Sequence, residues 1–160
     1  MNLTLTSIEI YLDANFLVAY FLSSHADSKK AQKMFARLLI GNNKMLLSPL
    51  TVDEVMNGIY KTLRDQERVN GLLPDKSHKD YINDIRQAVE LLTRDISFNI
   101  IQFRSDPAHG CLRAVENIGE HNFRPRDGFH LAYMQDQKIE YIVTNDGKFD
   151  RVKTIKRVPF

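Results

Sequence analysis

Hydrophobic and polar positions change their period in a regular way along the chain. Between Ile8 and Leu12 apolar residues alternate with Glu9 and Tyr11 in a short β-favouring run, and Ala14 to Leu22 is apolar nearly all round. This predicts a strand followed by a buried helix. Asp27 is placed to cap a second helix reaching Ile40, with Ala31, Met34, Phe35 and Leu38 at helical spacing and Gly41 as its stop. Met45 to Leu47 reads as a second strand. Ser48-Pro49 supplies a helix start, and Val52, Val55, Met56, Ile59 and Leu63 mark the buried face of the helix that follows, its pattern fading near Arg64.

Residues 64–78 are polar, include Gly71 and Pro74, and fit either a loop or a helical excursion. Beyond them, Tyr81, Ile85, Ala88, Val89 and Leu92 form an amphipathic helical pattern, Phe98 to Phe103 a strand, and Asp106-Pro107 the opening of a helix to about Glu120. Arg124-Pro125 starts a last helix, Tyr141 to Thr144 is a short apolar strand, and Val152 to Val158 reads as a closing strand. Strands separated by helices imply parallel neighbours joined by right-handed crossovers, with helices over both sheet faces. The expected fold class is α/β, a three-layer α/β/α sandwich around a central, mainly parallel sheet. With 160 residues and 43% hydrophobic content, the chain suits one domain spanning 1–160.

In such sheets ligands bind outside the carboxyl ends of the strands. Asp13 ends the first strand and Asp146 follows the strand Tyr141 to Thr144. Asp127 lies in the first turn of the helix opened by Pro125, and Glu54 lies one turn into the helix opened by Pro49, pointing away from its apolar stripe. All four can meet at one rim. Each has a bland explanation on its own: Asp127 suits the positive end of a helix dipole, Asp146 suits turn chemistry before Gly147, Glu54 suits a solvated face, and Asp13 suits a cap. Several acids brought together raise one another's pKa, a cost that a bound cation offsets. An all-oxygen set favours Mg²⁺ or Mn²⁺ over zinc, and an open acidic cluster suits phosphodiester hydrolysis by a polarised water. Two ions, if both bind, would stand about 3.5 to 4 Å apart.

The net charge of +2, from 22 basic and 20 acidic side chains, points to neither nucleic acid nor membrane, so any electrostatic argument is local. Local clusters exist: Lys29, Lys30, Lys33 and Arg37 recur along one helix, Arg124 and Arg126 precede Asp127, and Lys148, Arg151, Lys153, Lys156 and Arg157 crowd the last residues. They suit phosphate contacts or an ordinary solvated surface, those flanking the acids being the better candidates. Cys111, the lone cysteine, excludes an intrachain disulfide, fits a cytosolic protein and reads as a small core residue. The first residues lack a basic n-region, and Glu9 and Asp13 interrupt their apolar stretch, which reads as neither signal peptide nor membrane span. The five histidines show no zinc spacing, none is assigned a role, and His130 is expected to pack near the start of its helix.

Four segments in order resemble the PIN-domain family, and within it the VapC-like toxins of bacterial and archaeal toxin-antitoxin pairs. They are Tyr11-Leu12-Asp13-Ala14-Asn15-Phe16-Leu17-Val18-Ala19-Tyr20, Ser48-Pro49-Leu50-Thr51-Val52-Asp53-Glu54-Val55, Pro125-Arg126-Asp127-Gly128-Phe129-His130-Leu131-Ala132 and Val143-Thr144-Asn145-Asp146-Gly147-Lys148-Phe149-Asp150. The resemblance implies that Asp13, Glu54, Asp127 and Asp146 form the catalytic metal-binding set, that Asp150 matches a further acidic position of some members, and that Asn15 and Thr144 support the site by hydrogen bonds. Gly128 stands where members often carry alanine, a change expected to loosen the helix by about 1 kcal/mol. The implied activity is a divalent-metal-dependent endoribonuclease acting on RNA, with a cognate antitoxin whose tail covers the cleft and a homodimer formed through helices of the N-terminal half. Two other readings compete: a phosphatase forming a phospho-aspartate at Asp13, disfavoured by Asn15 two residues on, and a PIN fold that binds RNA or protein without cutting.

Overall fold

The computed structural model describes residues 5–71 and 76–160. The central strand, Glu9–Leu12 (β1), sends Ile10 and Leu12 to one side of the sheet and Tyr11 to the other, and this alternation divides the core in two. It pairs with Lys44–Leu47 (β2) on one edge and Tyr141–Val143 (β4) on the other, and Phe98–Ile100 (β3) and Lys156–Val158 (β5) complete a five-stranded sheet in the order β3-β2-β1-β4-β5. Every pairing is parallel.

Four helices, Ala14–Phe21 (α1), Ser28–Ile40 (α2), Pro49–Val69 (α3) and Ile82–Arg94 (α4), pack with Ile10, Leu12, Met45, Leu47 and Val143 through Phe16, Leu17, Leu38, Ile59 and Leu92. On the other face Pro125–Gln137 (α6) lays Leu131 and Met134 on Tyr11, Leu46 and Ile142, and Pro107–His121 (α5) packs outside α6. Both faces are therefore covered, as the alternation of strand and helix implies, and each fully buried leucine or isoleucine contributes about 1.5–3 kcal/mol of transfer free energy.

Several boundaries differ from those expected. Helix α3 runs to Val69 rather than fading near Arg64, because the segment after it supplies partners for its polar end. The Arg64 guanidinium lies over the Tyr60 ring, Tyr60 stacks on His78, and Glu67 accepts from Tyr81 Oη and Lys76 Nζ, both at 2.7 Å. Residues 72–75, including Pro74, lie outside the described residues. Strand β3 stops at Ile100 because β2 ends opposite it, and Phe103 leaves the sheet to stack on Tyr133 of α6. Strand β5 is confined to Lys156–Val158, while Val152 and Ile155 reach the core from the turn before it. Cys111 is exposed, not a core residue: α5 turns Gly110, Ala114 and Asn117 inward, and Cys111 falls off that stripe. Asp27 makes no side-chain cap and instead pairs with Lys30 at 2.7 Å.

Gly128 has a packing reason that outweighs its helix propensity. A Cβ there would stand 2.8 Å from both the Ala114 carbonyl oxygen and Ile118 Cγ1 of α5, while the Gly128 carbonyl accepts from Asn117 Nδ2 at 3.2 Å. Gly58 plays the same part on the other face, where a Cβ would lie 2.6 Å from Val18 Cγ2 of α1. Gly128→Ala is therefore expected to destabilise the fold by about 1–3 kcal/mol from overpacking, in spite of the gain of about 1 kcal/mol in propensity. Urea denaturation of the two proteins checks this, and a more stable variant would show that α5 yields freely.

Candidate active site at the β1–β4 edge

The strand order reverses direction at β1, whose neighbours β2 and β4 lie on opposite sides, so the crevice beyond the carboxyl ends of β1 and β4 is the switch point of the sheet. Asp13 follows β1 directly. Its backbone N–H continues the ladder onto the Val143 carbonyl at 3.2 Å, and its Oδ1 caps α1 by accepting from Ala14 N at 2.7 Å. The second carboxylate oxygen accepts from Thr144 Oγ1 at 2.6 Å. That hydroxyl in turn accepts from Asn15 Nδ2 and from the Asp146 backbone N–H, each at 3.0 Å, which uses its one donor and two lone pairs. Thr144 is fully buried. One hydroxyl thus fixes the ends of both strands and the first residue of α1's polar side.

Glu54 reaches the same place from α3. Ser48 and Thr51 cap that helix reciprocally, and the close approach at Gly58 lets α3 settle on α1, so Glu54 faces the crevice one turn in. Glu54 Oε2 meets His130 Nε2 of α6 at 2.7 Å, and the other ring nitrogen, Nδ1, meets the Tyr11 hydroxyl at 2.9 Å. Tyr11 donates to Ser48 Oγ at 2.7 Å and lies 3.0 Å from Thr51 Oγ1. The Tyr11 hydroxyl and the Glu54 carboxylate thus engage the two nitrogens of the His130 ring from opposite sides. The chain Ser48, Tyr11, His130 is buried throughout and ends on Glu54.

The other two acids stand together. Lys148 Nζ lies 3.1 Å from Asp146 Oδ2 and 3.3 Å from Asp127 Oδ2, bridging them. Asp146 caps a 3-10 turn, Gly147–Arg151, with its Oδ1 accepting from Lys148 N at 3.0 Å, and Asp127 accepts from Arg124 N at the start of α6. Both therefore also perform the structural roles their positions suggest. Burial works against the Asp146 charge, but the Lys148 backbone and ammonium hold its carboxyl below the usual range, and the Asp146 hydrogen bond raises the Lys148 ammonium. Glu54, Asp127 and Asp146 line one cleft with Arg124, Arg126 and Lys148, and Arg126 reaches Glu54 Oε1 at 3.5 Å.

A sequence model for the PIN domain matches residues 10–155. The chain belongs to the PIN-domain family. Solved structures that superpose on this PIN domain include VapC20 of Mycobacterium tuberculosis, described as a sarcin-ricin loop cleaving toxin, at 16% identity and a TM-score of 0.63, over 90% of this chain and 95% of that one. VapBC2 of Rickettsia felis, bound to a DNA fragment from its promoter, gives 16% and 0.61 over 94% and 98%. A toxin-antitoxin complex from Klebsiella pneumoniae gives 22% and 0.54 over 92% and 95%. At these identities the likeness establishes the fold. A comparison with curated proteins returned no match.

Within the PIN fold the residues expected at the site divide into four sets. Asp13 and Glu54 converge, and with His130 they offer ligand atoms within 4.8 Å of one another among the described residues. Asp127 and Asp146 share Lys148 on the same rim, and Asn15 donates to Thr144, which donates to Asp13. Asp150 is not brought in: it forms a two-pronged pair with Arg157 at 2.8 Å on both oxygens, because the 3-10 turn carries it toward β5. His130 stands in this candidate site, although its position in the sequence assigns it no role there. The signal was present as a polar residue followed by Leu131, Ala132 and Met134 on a buried helix face, but its partners Tyr11 and Glu54 lie 119 and 76 residues away.

The donor set fits a hard divalent cation. Burial raises the Asp13 carboxyl, and neighbouring Glu54 adds to the effect, while His130, Thr144 and the Ala14 N–H oppose it. A cation between Asp13 and Glu54 would relieve that cost. Both His130 nitrogens already have partners, so the ring holds Glu54 in position and the available donors are carboxylate oxygens, which Mg²⁺ or Mn²⁺ prefers.

The raised Asp13 carboxyl has a definite sign in stability. The unfolded chain loses this proton near pH 3.9, about its ordinary value, and the native chain loses it higher, so in that window the native state binds more protons and stability falls as pH rises. In EDTA, Asp13→Asn should gain in melting temperature relative to wild type as pH climbs through that window, asparagine being an equally good cap. Parallel melting curves across pH would remove the argument. Thr144→Val, which strips the shared hydroxyl from three polar groups, should lose about 1–3 kcal/mol in denaturant unfolding.

Proposed function

We propose that this PIN domain is a divalent-metal-dependent endoribonuclease, the toxin of a toxin-antitoxin pair, working through Asp13, Glu54, Asp127 and Asp146. The observation that carries the proposal is the meeting of Asp13 and Glu54 at the switch point, on a rim shared with Asp127 and Asp146 and lined by Arg124, Arg126 and Lys148. A carboxylate centre edged with cations suits a substrate that brings phosphate to a metal ion.

Asp13 and Glu54 would hold Mg²⁺ or Mn²⁺, with Asp127 and Asp146 completing the acidic set. Bound there, the ion would supply Lewis acidity toward a phosphoryl oxygen and lower the pKa of an attacking water. Thr144 keeps Asp13 aimed by donating to Oδ2, and His130 keeps Glu54 aimed through Oε2, leaving Asp13 Oδ1 shared with the α1 cap. Arg124 and Arg126 are placed to neutralise the phosphodiester along the cleft. Asn15 donates its amide to Thr144 and so serves the fold of the site, in keeping with hydrolysis by water rather than through a phospho-aspartate.

RNA as substrate is supported by family membership and by the description of VapC20 as a toxin that cleaves the sarcin-ricin loop. An antitoxin partner is supported by the toxin-antitoxin assembly of the Klebsiella pneumoniae structure. The reading extends to one domain across 1–160, to a homodimer and to a cytoplasmic location. No helix among the described residues is long and apolar enough to cross a membrane.

The test is cleavage of a mixed RNA pool by the pure protein with Mg²⁺ or Mn²⁺, beside folded Asp13→Asn and Asp127→Asn variants. Wild-type cleavage that EDTA and each substitution abolish is the expected result. RNA binding without cleavage in either metal would leave a PIN fold that holds its ligand without cutting it.

A further inference from the structure

Lys148 is tied to the acidic rim at both of its ends. Its backbone N–H donates to Asp146 Oδ1, and its ammonium reaches Asp146 Oδ2 and Asp127 Oδ2. Asp146 caps the very turn on which Lys148 rides, so the charge starts its path beside the carboxylate it neutralises, at a high effective concentration that no ion from solution matches. The side chain is about one-third exposed, enough shielding to strengthen the pairing. Arg126 differs: it approaches Glu54 only at 3.5 Å, is more than half exposed and has no backbone tie to that acid.

From this geometry we infer that Lys148 is the built-in second cation of the site, holding Asp127 and Asp146 together so that the chain takes one divalent ion, at Asp13 and Glu54, rather than two. The inference rests on the metal-dependent reading of the acidic site. A second dication could reach Asp127 and Asp146 only by displacing an ammonium that already lies in hydrogen-bond range of both, and the two like charges would repel at that distance. Among the described residues no ammonium bridges Asp13 and Glu54: Thr144 and His130 orient one oxygen of each, and the more than half-exposed Arg126 approaches only Glu54, at 3.5 Å. Lys148 also keeps one of its three N–H donors free of these two acids, available to a phosphate oxygen.

Mn²⁺ titration of the full chain, followed by calorimetry and by electron paramagnetic resonance of the free ion, tests this without reference to activity. Wild type should bind one ion. Lys148→Met, which keeps the length of the stem and removes the charge, should bind a second ion at least about tenfold more tightly than wild type does. Lys148→Arg should retain one. Asp13→Asn should lose the first ion in every background. Two ions of similar affinity on wild type would overturn the role of Lys148 and leave the acidic site standing, as would a Lys148→Met variant indistinguishable from wild type. No bound ion on wild type would overturn the metal-dependent reading and this inference with it.

Discussion

The hydrogen bond from Thr144 to Asp13 joins the ends of two neighbouring parallel strands, and most of the site depends on it. Parallel strands end side by side, so β1 and β4 deliver Asp13 and Thr144 to the same edge, at the 2.6 Å distance of a charge-assisted hydroxyl contact. Because the Thr144 hydroxyl also accepts from Asn15 and from the Asp146 backbone, a single buried oxygen sets where α1 begins and where the turn carrying Asp146 and Lys148 leaves the sheet. The arrangement keeps a carboxylate partly out of water where two strands end. Such a charge is tolerated when hydrogen bonds or a cation compensate for the lost hydration.

Close helix packing then brings the remaining acids into range. Gly58 allows α3 to settle against α1, which places Glu54 across from Asp13, and Gly128 allows α6 to settle against α5, one residue after Asp127. In both helices the glycine weakens the isolated element and strengthens its tertiary contact. The same reasoning explains why helix propensity alone misjudges Gly128: its missing Cβ is occupied space in the folded chain, filled by the Ala114 carbonyl and the Ile118 side chain.

Local signals were legible in the sequence wherever the physics is local. Period-two alternation at Ile10, Tyr11 and Leu12 divides correctly between the two faces, Pro49, Pro107 and Pro125 each open a helix, and Asp13 falls directly after its strand. What the sequence hid was long-range. The extension of α3 to Val69 depends on His78, Lys76 and Tyr81, which return to meet Tyr60 and Glu67 from beyond the helix. Cys111 lies outside the core because burial on α5 is set by which stripe faces α6, and the small residues Gly110 and Ala114 take that stripe. Asp150 was drawn to Arg157 by a turn geometry that spacing does not disclose.

His130 and Lys148 share one lesson about acidic sites. An amino-acid sequence displays its carboxylates plainly, yet the behaviour of each is decided by the group that faces it. Glu54 meets an imidazole backed by Tyr11 and Ser48, a buried chain that fixes one oxygen, while the exposed Arg126 stands 3.5 Å from the other. Asp127 and Asp146 meet an ammonium that occupies the space between them. Four acids on one rim are therefore two chemically different pairs, one oriented by Thr144 and His130 and the other bridged by the Lys148 ammonium. That distinction follows from two side chains whose positions only the folded structure reveals.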